Sequence, residues 1–156
     1  MNSRKRYKKS ELINFTYNIL KKVGLNNSNS KIISDLIIRA DERGVWSHGI
    51  VRLPVYVNRI EKKAAKKNPN FKFKKISNNI FHLSGDNGLG YLAANAGIKK
   101  CVSLAKEKGI GLVAISKSNH FGMAANYLEF ASKNKCIAWV YTCLLYTSPS
   151  PRDPIG

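Results

Sequence analysis

Acidic side chains are scarce in this chain. Nine Asp and Glu stand against 27 Lys and Arg among 156 residues, for a formal net charge of +18. Cysteine is scarcer: Cys101, Cys136 and Cys143 include no C-x-x-C pair and no metal-ligand spacing, so no metal site is expected. Cys101 falls on an apolar helical stripe and Cys136 beside a strand pattern, which reads as core filling. No apolar run is long enough to cross a bilayer. The basic opening MNSRKRYKKSEL passes into a helical pattern with no apolar signal core, so no membrane association is expected and a cytoplasmic location is the default. The G-x-G-x-x-G spacing is also missing. Gly85, Gly88 and Gly90 in GDNGLG do not match it, and no acidic residue follows on a strand end to hold a ribose. That leaves a conventional doubly wound dinucleotide site without support.

The excess of positive charge is mostly lysine, spread over residues 5–9, 62–75 and 99–108. Surfaces that read nucleic acid add arginine forks or exposed aromatics. Here lysine accompanies abundant Asn and Ile, the mark of A/T-rich codons, and no nucleic-acid partner is expected. The alternative, a basic nucleic-acid-binding protein, would show salt-sensitive DNA binding. A positive field equally suits a small carboxylate substrate or a pyrophosphate, so charge by itself does not choose.

Periodicity predicts helices first. Ser10 is expected to cap a helix with the stripe Leu12, Phe15, Ile19 and Val23, stopped by Gly24. A second helix carries Ile33, Ile37 and Ala40 before Gly44, and a third begins near Leu53 with Tyr56, Val57 and Ile60 on one face. Pro54 fits only in its first turn, which sets Ser47, His48 and Gly49 just ahead of it. After Pro69 the period becomes two: Phe71 and Phe73, then Ile80, Phe81 and Leu83, predict a β-hairpin. GDNGLG is expected to turn into a helix over residues 91–108. A strand at 112–115, a loop at 118–122, a helix through Ala124, Leu128 and Ala131, and a strand at 137–141 complete the pattern. The fold class is α/β, with a helical N-terminal lobe at 1–69 and an α/β domain at 70–142.

Two histidine motifs carry the chemistry. In Ser47-His48-Gly49 followed by Arg52, the imidazole lies in a glycine-flanked loop before a helix, where free N–H groups would attract an anion. Arg52 offers a planar fork that suits a carboxylate. Reduction of a 2-ketoacid needs this pair, one group to fix the acid and one to protonate the carbonyl oxygen as hydride arrives at carbon. The plain alternative is that Ser47 caps and Arg52 forms a salt bridge. In Ser118-Asn119-His120-Phe121-Gly122 the second histidine sits on a strand-end loop, where α/β proteins bind ligands, and Gly122 would permit close backbone approach. His82 alternates with Phe81 and Leu83 and reads as sheet surface.

Residues 143–156 break every trend. CLLYTSPSPRDPIG brings three X-Pro steps directly after a strand pattern, without lysine. It resembles the translation of a sequencing adapter, so residues 143–156 are expected to be a non-native tail.

The ordered segments ADERGVWSHGIVRLPVYVNRI, GDNGLGYLAANAGI and AKEKGIGLVAISKSNHFG resemble the malate/L-lactate dehydrogenase family, over nearly all of residues 10–142. The resemblance implies a truncated α/β domain of that type, unrelated to Rossmann lactate dehydrogenases. It implies hydride exchange between NAD or NADP and a small anionic 2-hydroxyacid or 2-ketoacid, in a homodimer. His120 matches the family's acid/base histidine, His48 its other active-site histidine, which is cast as proton donor in some members, and Arg52 the residue holding substrate carboxylate. Ser47 and Asn119 match positions that orient substrate or histidine. The stretch around His48 looks nearest to ureidoglycolate dehydrogenase. The family continues beyond Thr142 with much of its cofactor site, so this chain alone is expected to be inactive; a non-catalytic remnant is the other reading.

Overall fold

The computed structural model describes residues 6–142. Helix α1 (Lys9–Lys22) begins two residues earlier than a Ser10 cap would allow. Lys8 occupies the N-cap without a side-chain bond, and Ser10 lies inside the first turn with Glu11, whose charge suits that end. Thr16 and Leu20 are fully buried, and Leu12, Ile19 and Val23 of the expected stripe pack half-buried against the core, while Phe15 alone of that stripe is exposed. Helix α2 (Asn27–Glu42) is capped by Asn26, whose Oδ1 accepts the Asn29 N–H at 2.8 Å. Ile33, Ile37 and Ala40 are wholly buried, as their spacing requires. Helix α3 (Leu53–Glu61) holds Pro54 in its first turn and buries Leu53, Tyr56 and Ile60.

The hairpin forms as expected. Strand β1 (Lys72–Lys75) pairs antiparallel with β2 (Ile80–Gly88), placing Phe73 opposite Leu83. Helix α4 (Gly90–Lys108) is the crossover to β3 (Leu112–Ser118), which lies parallel to β2 in the order β1-β2-β3. Strand β2 is longer than expected, because most of the glycine-rich segment belongs to it. The register slips between Ser84 and Gly88, with Asp86 and Asn87 at φ 49° and 54°, as in a bulge. His82 stands on the sheet surface, its Nε2 2.8 Å from Ser116 Oγ.

Helix α5 (Ala125–Lys133) follows, but the strand expected at 137–141 is not there: no strand forms in that stretch of the described residues. The alternation is real, since Ala138 and Val140 pack on the core while Ile137, Trp139 and Tyr141 are 86%, 73% and 84% exposed. What fails is the pairing, because a strand needs a neighbour's ladder. Leu112 and Ile115 of β3 are likewise exposed. One core cluster draws Leu20, Ile33 and Ile37 together with Tyr91, Ile98 and Tyr127, from both sides of residue 69. Cys101 and Cys136 are half-buried, while Cys143 and the expected tail at 143–156 lie outside the described residues. Among the described residues no helix is long and apolar enough to cross a membrane, and no group of His, Cys, Asp and Glu could hold a metal.

Glu129 ties α5 to α2. Its carboxylate meets Arg39 at 3.1 Å, Arg43 at 3.2 Å and Lys133 at 2.6 Å. These bonds, Lys133's first, hold its carboxyl below the ordinary 4.5. A depressed carboxyl contributes stability that is full above its unfolded value and lost as pH falls through the folded one. Glu129→Gln is therefore expected to cost up to about 1 kcal/mol at neutral pH and nothing in strong acid, read from urea midpoints.

Candidate active site

Between α2 and α3 the chain makes two short 3₁₀ turns, Trp46–His48 and Ile50–Arg52. Gly44, at φ 72°, turns the chain out of α2, and Asp41 reaches forward so that its Oδ2 accepts the Ile50 N–H at 2.7 Å. Most of the expected cluster of free N–H groups is therefore already used. His48, Gly49 and Arg52 donate to the carbonyls of Val45, Trp46 and Gly49, and the chain's own Asp41 carboxylate takes the Ile50 N–H. Burial raises the Asp41 carboxyl, and the Ile50 bond works against it. Gly49 makes this approach possible, since a Cβ there would stand 1.8 Å from Asp41 Oδ1. Gly49→Ala is expected to push Asp41 away and cost about 1–3 kcal/mol. Denaturation would measure the loss, and His48 ring resonances should shift; an unshifted ring would mean that Asp41 does not set this turn.

The two histidine motifs meet. His48 and His120 lie ring to ring, centroids 5.4 Å apart and planes 28° from parallel. They share the wall of a cavity of about 540 Å³ with Val45, Asn119, Met123 and Thr142 among others. Ser47 Oγ is 2.9 Å from His48 Nδ1, and Arg52 Nε donates to the Ser47 carbonyl at 2.7 Å. Arg52 is the N-cap residue of α3 rather than part of its first turn, and neither Ser47 nor Arg52 lines the cavity itself. Asn119 is fully engaged: Oδ1 accepts from Arg59 Nη1 at 2.8 Å, and Nδ2 donates to Asn87 and Gly88 at 3.0–3.2 Å. It binds the 118–122 loop to the end of β2.

Three side chains that the sequence pattern assigned to the core or to nothing belong to this site. His120 is exposed as a residue, yet its Nδ1 is 2.9 Å from Tyr56 Oη, and Tyr56 Oη is 3.1 Å from Tyr91 Oη. Both tyrosines are buried. The only signal in the sequence was a phenol on an otherwise apolar stripe, since a buried tyrosine needs a partner for its hydroxyl. The third is Arg59, whose charge acts on His120 and Tyr56. Gly122, at φ 75°, does allow a close approach, but to the Tyr91 ring, whose atoms would be 2.3–2.5 Å from a Cβ, rather than to a ligand. Desolvation, then His48, Arg52 and Arg59, hold His120 below the ordinary imidazole value of 6.5.

The malate/L-lactate dehydrogenase family model matches residues 7–148. The chain belongs to the malate/L-lactate dehydrogenase family. Its relatives include the malate/(S)-sulfolactate dehydrogenase of Methanothermus fervidus, 37% identical over 80% of this chain and 37% of the relative. The malate dehydrogenase of Pyrococcus abyssi is 35% identical over 85% and 36%. The Escherichia coli ureidoglycolate dehydrogenase (NAD(+)), toward which the His48 segment leaned, is 29% identical over 74% and 33%. The solved malate dehydrogenase of Pyrococcus horikoshii superposes with a TM-score of 0.81 at 33% identity, covering 83% of this chain and 37% of that one. The mixed helix-and-strand fold of this family is thus present, and the chain spans a little over a third of the length of the relatives it matches.

Proposed function

We propose that the chain supplies the substrate half of an oxidoreductase that interconverts a small 2-hydroxyacid and its 2-ketoacid. The observation that carries the reading is the pair of imidazoles at 5.4 Å on one cavity wall, with a guanidinium fixed beside them through Ser47. The cavity's volume suits a small organic acid. His48 and His120 face the carbonyl oxygen and handle its hydrogen, and Arg52 attracts the carboxylate. Ser47 orients His48, and Asn119 holds His120 in place through its loop.

A nicotinamide dinucleotide fits only at its reacting end. The glycine-rich segment is closed on the protein: a Cβ at Gly88 would meet Pro69, and Asp86 is tied to Lys66 at 2.5 Å and to the Asn70 N–H. The described residues thus offer no cradle for a diphosphate. NAD or NADP, both present in relatives' names, would supply hydride to the carbonyl carbon. The oxygen takes a proton as the π bond opens. A cytoplasmic homodimer is part of the same reading. So is a 2-hydroxyacid of the malate or sulfolactate kind, because two relatives so named, at 37% and 35% identity, stand above the ureidoglycolate enzyme at 29%.

The test is a chimera in which residues 6–142 replace the equivalent part of the Pyrococcus horikoshii enzyme. Consumption of NADH or NADPH that depends on oxaloacetate, sulfopyruvate or pyruvate supports the reading. A folded chimera that binds cofactor and leaves every 2-ketoacid untouched would refute it. The 156-residue chain alone is expected to turn over nothing.

A further inference from the structure

We infer that Tyr91, acting through Tyr56, and the backbone N–H of Gly122 hold His120 as a neutral imidazole with its hydrogen on Nε2. On the redox reading above, His120 then donates a hydrogen bond to the carbonyl oxygen, while His48 is the imidazole that changes charge.

The argument is one of donors and acceptors. Nδ1 of His120 is met from two sides, by Tyr56 Oη at 2.9 Å and by the Gly122 N–H at 3.3 Å. A backbone N–H can only donate, so Nδ1 is held as an acceptor. Tyr56 Oη could bond in either direction, and Tyr91 decides which. The Tyr91 hydroxyl is buried and meets Tyr56 Oη but no other acceptor among the described residues. A buried O–H left without an acceptor is costly, so its hydrogen goes to Tyr56. Tyr56 then passes its own hydrogen to Nδ1. Reversing the chain would strand the Tyr91 hydrogen and set Nδ1–H against the Gly122 N–H. The groups facing the ring agree: His48, Arg52 and Arg59 are cations or can become so, and each disfavours a second positive charge. Burial raises the Tyr91 phenol far above its ordinary range, so the chain orients hydrogen without releasing a proton.

Around His48 the neighbour is different. Ser47 Oγ can donate to Nδ1 or accept from it, so either protonation state is served. A bound NAD(P)H would supply hydride to the carbonyl carbon, with the π pair moving to oxygen. His48 imidazolium gives its proton to that oxygen and is left neutral, and His120 keeps its hydrogen throughout. Tyr91 touches no reacting atom and is a positioning residue.

Two-bond ¹H–¹⁵N correlation of the full 156-residue chain tests this directly, with His120→Gln to assign the ring. At neutral pH, Nδ1 of His120 is expected to resonate as an unprotonated nitrogen and Nε2 as a protonated one. A ring protonated at Nδ1, or a cation at that pH, would overturn the inference. Tyr91→Phe should let the tautomers mix and move the His120 titration midpoint up by about half a unit, leaving His82 unchanged. An unmoved His120 in a folded Tyr91→Phe chain would remove Tyr91 from the role. Should that variant not fold, Tyr56→Phe carries the comparison, and the wild-type spectrum decides the tautomer in any case. No cofactor or turnover enters the measurement, so an inert chimera would sink the redox reading and leave this result standing.

Discussion

Truncating Tyr91 to alanine is expected to destabilise the chain by about 3–5 kcal/mol, the range for removing a buried aromatic ring. The ring is fully enclosed, lies edge-on to Tyr56 with centroids 5.5 Å apart, and rests against the backbone of Gly122. It joins three pieces that are distant in sequence: the start of α4, the middle of α3 and the His120 loop. The cavity would open where no side chain can collapse into it, because its floor is Gly122. Phenylalanine keeps the ring and loses only the hydroxyl bond, so Tyr91→Phe should cost about 1 kcal/mol. Urea denaturation separates the two. Alanine costing no more than phenylalanine would show that the ring is not packed as described. Small domains have about 5–15 kcal/mol in total, so the alanine variant should be folded only in part at physiological temperature.

The second large effect concerns turnover in the chimera. Removing the imidazole that delivers the proton should lower kcat by about 10²–10⁴ for His48→Ala, with loss of one limb of the pH–rate profile. His120→Ala removes a fixed donor from the developing oxyanion and should lower kcat by about 10²–10³. The two differ in rescue. His120→Gln retains an amide donor and should recover part of the loss, whereas His48→Gln, with no transferable proton, should not. Equal recovery at both positions would mean that the histidines share one role. Arg52→Lys keeps the charge but loses the planar fork, so it should raise KM more than it lowers kcat.

Much of this was legible in the residues. The 3.6-residue stripes of Ile33, Ile37 and Ala40 and the position of Pro54 fix their helices, and the spacing of Phe73 and Leu83 fixes the hairpin. The two histidines were legible as separate loop motifs. Their meeting was legible only through the family resemblance, because it depends on how distant segments pack, and periodicity carries no such information. The roles of Tyr56 and Tyr91 were hidden for the same reason: a buried phenol looks like any core residue until its hydroxyl is traced across 35 positions. Asp41 was missed because capping rules look for a donor's partner nearby, whereas it reaches nine residues ahead. The strand expected at 137–141 shows the opposite limit. Alternation reports which side chains face inward, and it is silent on whether a ladder partner is present.

The uncovered row of Ile137, Trp139 and Tyr141, with β3 presenting Leu112 and Ile115, bears on how the protein behaves in a tube. Molecules with such surfaces attract one another, and what keeps these apart is mutual repulsion at +18. Dissolved ions shorten that repulsion to about 8 Å at physiological strength. Clear solutions are expected in dilute buffer. Saline should turn them turbid, with the emission of Trp139 moving to the blue as neighbouring molecules shield it from water.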